Sequence, residues 1–142
     1  MRTAYNAWEV DHLQVVAKLS KGSNPWTEHY SAVMAEVPDA QDAATQLNLD
    51  FLATLLPAQQ IYVTGEAGSH CVKASTEHIA DYLEAQQGKT ALSRLVLLTD
   101  CMSPVTGFET QQRDFLAAMQ ARGARLATAA QVLPEWLANA DA

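Results

Sequence analysis

The part of the sequence best suited to chemistry is the segment of residues 63–72, VTGEAGSHCV. An apolar run ends here, a glycine-containing turn follows, and Cys71 opens a pattern typical of a long helix. The free N–H groups and partial positive charge of a helix N-terminus stabilise a thiolate, the nucleophilic form of cysteine. The same N–H groups can stabilise the oxyanion that forms when a bound carbonyl is attacked. The sequence therefore predicts a candidate nucleophile at Cys71, with a buried structural cysteine as the alternative.

The flanking sequence predicts β-strands that alternate with helices, the pattern of a parallel sheet with right-handed crossovers. We predict strands at residues 13–19, 61–64, 95–99 and 125–128, and helices at 45–56, 71–87, 108–122 and 131–138. Residues 31–37 are compatible with a short helix. Ligands bind at the carboxyl ends of the strands in such sheets, so the loops after Leu19, Val63 and Leu98 should face the same side.

Length, charge and cysteine content exclude several classes of protein. The 142 residues predict one domain, residues 1–142. Nine basic against 16 acidic residues give a net charge of −7, which disfavours nucleic acid and anionic membranes as partners. No apolar run approaches the roughly 18 residues of a membrane span, and no secretory signal is recognisable, so we expect a cytoplasmic protein. The two cysteines form neither a disulfide framework nor a zinc pattern.

Several segments resemble the isochorismatase-like cysteine hydrolases, the superfamily that includes the nicotinamidases. Residues 65–72 resemble its G-x-x-x-x-x-C-V nucleophile segment, and Lys21, nine residues ahead of Tyr30 and Ser31, resembles its lysine loop. Residues 45–47, 97–103 and 123–128 resemble a helix start, a strand with an Asp-containing loop, and the final strand. These segments follow the order and spacing of the family over most of the chain.

The resemblance implies a fold, a mechanism and a set of site residues. The fold would be a three-layer Rossmann-like parallel sheet, and no cofactor would be required. Cys71 would attack the carbonyl of a small amide to form a thioester, and Lys21 would support the site electrostatically. The backbone N–H groups of Ala67 and Cys71 would form the oxyanion hole. The family has a cis peptide in this turn, here between Glu66 and Ala67.

The chain also departs from the family pattern near its N-terminus. The family carries a catalytic Asp at the end of its first strand, several tens of residues ahead of the lysine loop, whereas 20 residues precede Lys21 here. Asp11 precedes the predicted strand at 13–19 and would lie at the wrong end of the sheet, and His12 is not expected to bind a metal. The resemblance therefore implies a chain truncated at the N-terminus, without the first two strands of the fold, the catalytic Asp or the metal ligands. Glu66 is the nearest carboxylate to Cys71 in the sequence, although it is expected to be a loop residue rather than a catalytic acid.

Aromatic side chains near the lysine loop and the turn are candidates for a pocket. Trp26 and Tyr30 suit a planar substrate, although both could simply anchor their loop. His70 is expected to shape the pocket rather than act as a base, because adjacent residues at a helix start point in different directions. Asp100 is expected to cap its own loop, and Cys101 to be buried.

Two functions follow from these expectations. The first is hydrolysis of a small, nicotinamide-like amide through Cys71. The second is a truncated, catalytically impaired homologue that acts as an oligomeric small-molecule-binding module or completes a partner chain. A thiol-redox function is weaker, because no resolving cysteine lies nearby. In either case an exposed sheet edge predicts a homodimer or higher oligomer.

Overall fold

The structure is a computed structural model that describes the backbone of residues 2–140 and the side chains of residues 2–138. The helices and strands in chain order are α1 (Arg2–His12), α2 (Leu49–Thr54), β1 (Ile61–Glu66), α3 (Cys71–Gln87), β2 (Leu95–Ser103), α4 (Glu109–Arg122), β3 (Arg125–Ala127) and α5 (Ala129–Ala140). Short 3-10 helices occupy Ala43–Thr45 and Lys89–Arg94. Within residues 2–140, no helix has the length and apolar character needed to cross a membrane.

The sheet has three parallel strands in the order β1-β2-β3, which confirms the predicted α/β class. Val63 of β1 pairs with Leu97 of β2, which in turn pairs with Leu126 of β3. Parallel neighbours require a crossover, and α3 and α4 supply the two crossovers here. The carboxyl ends of the strands therefore lie at one edge of the sheet, where the loops into α3 and α4 begin.

Strand β2 is the centre of the core because both of its faces are covered. Leu95 and Leu97 pack with buried residues of α3 and α4, including Leu83 and Phe115. Val96 and Leu98 pack on the other face with Val132 of α5. The near-continuous apolar sequence of this strand is typical of a sheet buried on both sides. The result is three layers: α3 with α4, the sheet, and α5.

The predicted strand at residues 13–19 was wrong, because this segment has no regular structure and is largely exposed. Leu13 is 92% exposed and adopts a left-handed conformation with φ 52° at the end of α1. The backbone after Leu13 is hydrogen-bonded to α1. The N–H of Gln14 donates to the Glu9 carbonyl (3.2 Å), and the N–H of Val16 donates to the Glu9 carboxylate (2.8 Å). β-prone residues form a strand only where another strand pairs with them, and none does so here in the described part of the chain.

Other elements also differ from the sequence-based expectation, among them strand β2, which ends at Ser103 and not at residue 99. The predicted helix at 45–56 is shorter, because the Asn48 side chain accepts the N–H of Phe51 (3.0 Å) and caps a helix that starts at Leu49. Residues 31–37 form bends instead of a short helix. Asp100 caps the first turn of α5, where its carboxylate accepts the N–H of Ala129 at 2.9 Å, so that helix starts earlier than predicted.

The same substitution at Leu97 and at Leu13 should have very different effects on stability, because Leu97 belongs to the core and Leu13 to the irregular segment. Leu97 is fully buried, so Leu97→Ala should lower the free energy of unfolding by about 2–5 kcal/mol. Leu13→Ala should change it by less than about 0.5 kcal/mol, because an exposed side chain loses little packing. Urea denaturation monitored by circular dichroism measures both. A comparable loss in Leu13→Ala would show that residues 13–19 pack against the core after all.

Candidate active site

The turn that joins β1 to α3 brings Cys71 to the carboxyl end of the sheet. Gly65 has φ 120°, a conformation that disfavours residues with a Cβ. The peptide bond between Glu66 and Ala67 is cis, at the position that the sequence resemblance implies. The N–H of Gly68 then donates to the carbonyl of Ser103 at the end of β2 (2.8 Å), which ties the turn to the sheet. The chain thus passes from strand to helix within a few residues, and Cys71 is the first residue of α3.

Two backbone N–H groups of this turn have no partner in the described part of the chain. The carbonyl of Ala67 accepts the N–H groups of His70 and Val72, both at 3.0 Å. Within residues 2–140, no hydrogen bond occupies the N–H of Ala67 or that of Cys71. These are the two groups that the sequence resemblance implies for an oxyanion hole.

A pocket of about 260 Å³ holds Cys71, Lys21 and Glu66 together. Val63, Val72 and Ile79 are among the apolar residues that line it. The pocket also touches four consecutive residues of β1, 63–66. Because successive residues of a strand point to opposite faces, such a pocket runs along the edge of β1 that lies away from β2. The structure therefore places a thiol, an ammonium group and a carboxylate residue around one space.

Lys21 reaches this pocket from a loop that folds back on itself. Its Nζ donates hydrogen bonds to the carbonyl of Tyr30 (2.7 Å) and to that of His29 (3.2 Å). The Lys21 side chain is exposed, so without these carbonyls its ammonium group would be free to point into solvent. The spacing of nine residues between Lys21 and Tyr30 therefore has a structural cause.

His70 lies beside Cys71 in sequence but lines a different pocket, of about 310 Å³. Its ring contacts Phe108 edge-on, with ring centroids 4.7 Å apart, and lies 5.6 Å from the ring of Tyr30. Its Nδ1 is 2.8 Å from Oγ of Ser69. The ring is thus held as a wall of the second pocket.

The aromatic pocket candidates occupy different environments. Tyr30 lines the second pocket with His70, whereas Trp26 is 90% exposed and lines neither of these two pockets. Phe108 lines the second pocket, although its place in the helical pattern predicts a core residue. Phe108 is instead the N-cap residue of α4 and is 39% exposed. The acidic first turn that directly follows Phe108 is the sequence signal that could have identified this helix start.

Cys101 is exposed, so the expectation that it is buried was wrong. Strand β2 continues to Ser103, beyond the part that the helices cover, and Cys101 lies in this uncovered end. Partial desolvation of the sulfur raises the pKa of the Cys101 thiol. The charge of neighbouring Asp100, and a contact between its carboxylate and the sulfur (3.7 Å), raise this pKa further.

Comparisons with known proteins identify the fold. No family model and no curated protein matches the sequence. Two solved structures are similar: an Acinetobacter baumannii nicotinamidase/pyrazinamidase (TM-score 0.51, 19% identity, 75% of this chain) and a yeast nicotinamidase (TM-score 0.53, 18% identity, 86% of this chain). The fold is isochorismatase-like. The chain spans 44% and 49% of the lengths of these two proteins.

The alkylation of Cys101 should depend strongly on pH. Only the thiolate reacts, and the raised pKa keeps Cys101 protonated at pH 7, so iodoacetamide should label it slowly there and faster as the pH rises. Asp100→Asn removes the charge that opposes ionisation, keeps an oxygen for the N–H of Ala129, and should speed the labelling of Cys101 at pH 7. Peptide mapping by mass spectrometry measures the rate, with Cys71 in the same digest as the control. An unchanged Cys101 rate in Asp100→Asn would contradict this account.

Proposed function

We propose that the protein hydrolyses a small, nicotinamide-like amide through a thioester on Cys71. The observation that carries the proposal is the grouping of Cys71, Lys21 and Glu66 in one pocket at the start of α3. The volume of about 260 Å³ lies below the roughly 300–1,000 Å³ typical of sites for drug-sized ligands, so it suits a small substrate. The similarity to two nicotinamidase structures supports the same class of substrate.

The reaction has two chemical steps, both of which start at a carbonyl carbon. In the first, the Cys71 sulfur forms a C–S bond, and the carbonyl electron pair moves onto oxygen, where the N–H groups of Ala67 and Cys71 donate to it. The C–N bond then breaks, and the nitrogen leaves as ammonia or an amine after it gains a proton. In the second step, water adds to the thioester, the C–S bond breaks, and the carboxylic acid and the thiol are released.

Lys21 and Glu66 have different roles in this scheme. Lys21 and the N-terminus of α3 both bring positive charge to the pocket, where it would stabilise the negative oxygen that forms as Cys71 attacks. Glu66 is the one carboxylate residue among the described residues that line the pocket. We assign to it the transfer of a proton to the leaving nitrogen and the removal of a proton from the attacking water, a contribution of about 10²–10⁴-fold in rate.

A second candidate function is a catalytically impaired module that binds a small molecule in the same pocket. The observation that favours it is the exposure of Glu66, since a carboxylate in contact with water is a weaker proton-transfer group than one in a closed site. In this case the pocket would bind an amide or acid without turnover.

Ammonia release from a panel of small amides, with nicotinamide and pyrazinamide included, distinguishes the two functions. Cys71→Ala should abolish turnover, and Glu66→Gln should lower kcat by about 10²–10⁴-fold if Glu66 carries the proton. Cys101→Ala is the matched control and should retain full activity. Wild-type Cys71 should also react with iodoacetamide at pH 7 faster than glutathione does. If no amide is turned over and Cys71 labels no faster than glutathione, the hydrolase proposal fails, and isothermal titration with the same panel then tests the binding module.

We also propose that a second copy of the chain covers the edge of β1 that lies away from β2. The backbone groups along this edge are a template for pairing with another strand, and two identical edges can pair about a two-fold axis. The pocket lies along this edge, so the second copy would also close the pocket from the side.

Light scattering coupled to gel filtration should therefore give a dimer or higher oligomer at micromolar concentration. Thr64→Lys places a charge on an exposed residue of β1 and should shift the protein towards the monomer, because lysine on an edge strand opposes pairing. Thr110→Lys, on the exposed surface of α4, is the matched control and should leave the mass unchanged. A wild-type monomer at micromolar concentration would exclude this assembly.

A further inference from the structure

Two hydrogen bonds connect the loop that carries Lys21 to helix α3. Oγ of Ser31 lies 2.9 Å from Nδ1 of His78, and the N–H of Ala32 donates to Oγ of Ser75 at 2.9 Å. Ser31 is fully buried although it belongs to a long irregular segment. These contacts span 47 and 43 residues in sequence, so they fix the loop to a distant part of the chain.

Oγ of Ser31 has a second partner within its own loop. Oγ of Ser31 also accepts the N–H of Val33 at 3.1 Å, and a backbone N–H can only donate. The hydroxyl of Ser31 keeps its proton and a second lone pair, so it can either donate a hydrogen bond to Nδ1 of His78 or accept one from it. Because Ser31 is fully buried, its hydroxyl meets His78 only while the loop lies against α3.

The same short stretch of chain holds the ammonium group of Lys21. The carbonyls of His29 and Tyr30, which accept hydrogen bonds from Lys21 Nζ, immediately precede Ser31. On α3, Cys71, Ser75 and His78 are separated by four and three residues, so they follow one another along one side of the helix. One helix thus carries the thiol and, one and two turns later, the two groups that hold the lysine-bearing loop.

We propose that Ser31 and His78 are positioning residues that place the Lys21 ammonium beside Cys71. The inference rests on the proposed function for the role of Lys21, but the placement itself is independent of any turnover. If the contact between Ser31 and His78 is lost, the carbonyls of residues 29 and 30 move away from α3, and the ammonium group leaves the pocket with them. The sulfur of Cys71 stays in place, because the β1–α3 turn holds it.

The charge beside Cys71 can be measured with two alkylating reagents of similar size. Iodoacetate is an anion and iodoacetamide is neutral, so an ammonium group near the sulfur raises the ratio of their rates at Cys71. Lys21→Met should lower this ratio, by up to roughly fivefold, which is the factor for two unit charges in water at a separation of about 4 Å. His78→Ala and Ser31→Ala should lower it by a similar factor, although neither removes a charged side chain from the pocket.

Two further variants separate positioning from a general loss of stability. His78→Asn keeps a polar atom near the place of Nδ1 and should restore most of the ratio. Asp81 lies on α3, like His78, and its carboxylate forms an ion pair with Arg122 of α4 (2.7 Å). Asp81→Asn breaks this ion pair and should leave the ratio at the wild-type value. Tryptic cleavage after Lys21 gives a second readout, and it should accelerate in His78→Ala and Ser31→Ala but not in Asp81→Asn.

These measurements do not depend on the hydrolase proposal, since no substrate is used. A wild-type ratio and wild-type cleavage in both His78→Ala and Ser31→Ala would overturn the positioning role. If His78→Ala does not fold, Ser31→Ala, which removes a single oxygen, decides the question alone. A lowered ratio in these variants would support the positioning role even if no amide is turned over and wild-type Cys71 labels no faster than glutathione, the outcome that rejects the hydrolase.

Discussion

Strand β2 must be covered on both faces, and the architecture around the candidate site depends on this requirement. Its four residues from Leu95 to Leu98 are each at most 2% exposed, and the burial of each such side chain contributes on the order of 1.5–3 kcal/mol. A sheet covered by helices on both sides is built from parallel strands with helical crossovers. Parallel strands end at the same edge, so the turn into α3, which carries Glu66 and Cys71, and the loop into α4 lie at one edge of the sheet.

The position of the nucleophile is a consequence of strand pairing rather than of contacts with the sulfur. The end of β2 holds the turn before α3 at two points, through the bond from Gly68 to Ser103 and through Oγ of Ser69, which accepts the N–H of Val105 at 2.9 Å. A Cβ at Gly68 would lie 2.1 Å from the side-chain oxygen of Gln112, which is the flexible end of that side chain. Gly68 therefore leaves space beside the turn for the Gln112 side chain of α4, and a larger residue there would require this side chain to move.

Local sequence patterns predict the helices that are marked by a glycine after their last turn and the strand that has a strongly apolar sequence. Helix α3 has the predicted bounds, and the glycines that follow α3 and α4, Gly88 and Gly123, have φ values of 81° and 114°. The resemblance singled out Cys71 and Lys21, and the sequence placed Glu66 as the carboxylate nearest to Cys71; all three line one pocket. Residues 13–19 were mistaken for a strand because β propensity does not say whether a partner strand is present. Helix α1 was not predicted; Tyr5 and Trp8 have a helical spacing, but none of the residues of α1 is buried, so the helix contributes nothing to the core.

The contact between Ser31 and His78 could not be predicted for a different reason. Neither residue belongs to a local pattern, and a hydrogen bond across 47 residues is defined only once the loop and the helix are packed together. The ammonium group of Lys21 and the thiol of Cys71 are therefore held in the pocket by separate parts of the structure. The sheet holds Cys71 through backbone bonds that persist as long as β1 and β2 pair, whereas Lys21 depends on a loop with few buried apolar residues. Local opening costs less free energy in such a loop than in the sheet, so the loop can detach from α3 while the core stays folded. The placement of the positive charge is for this reason a property that the protein can lose or regain without any change in its fold.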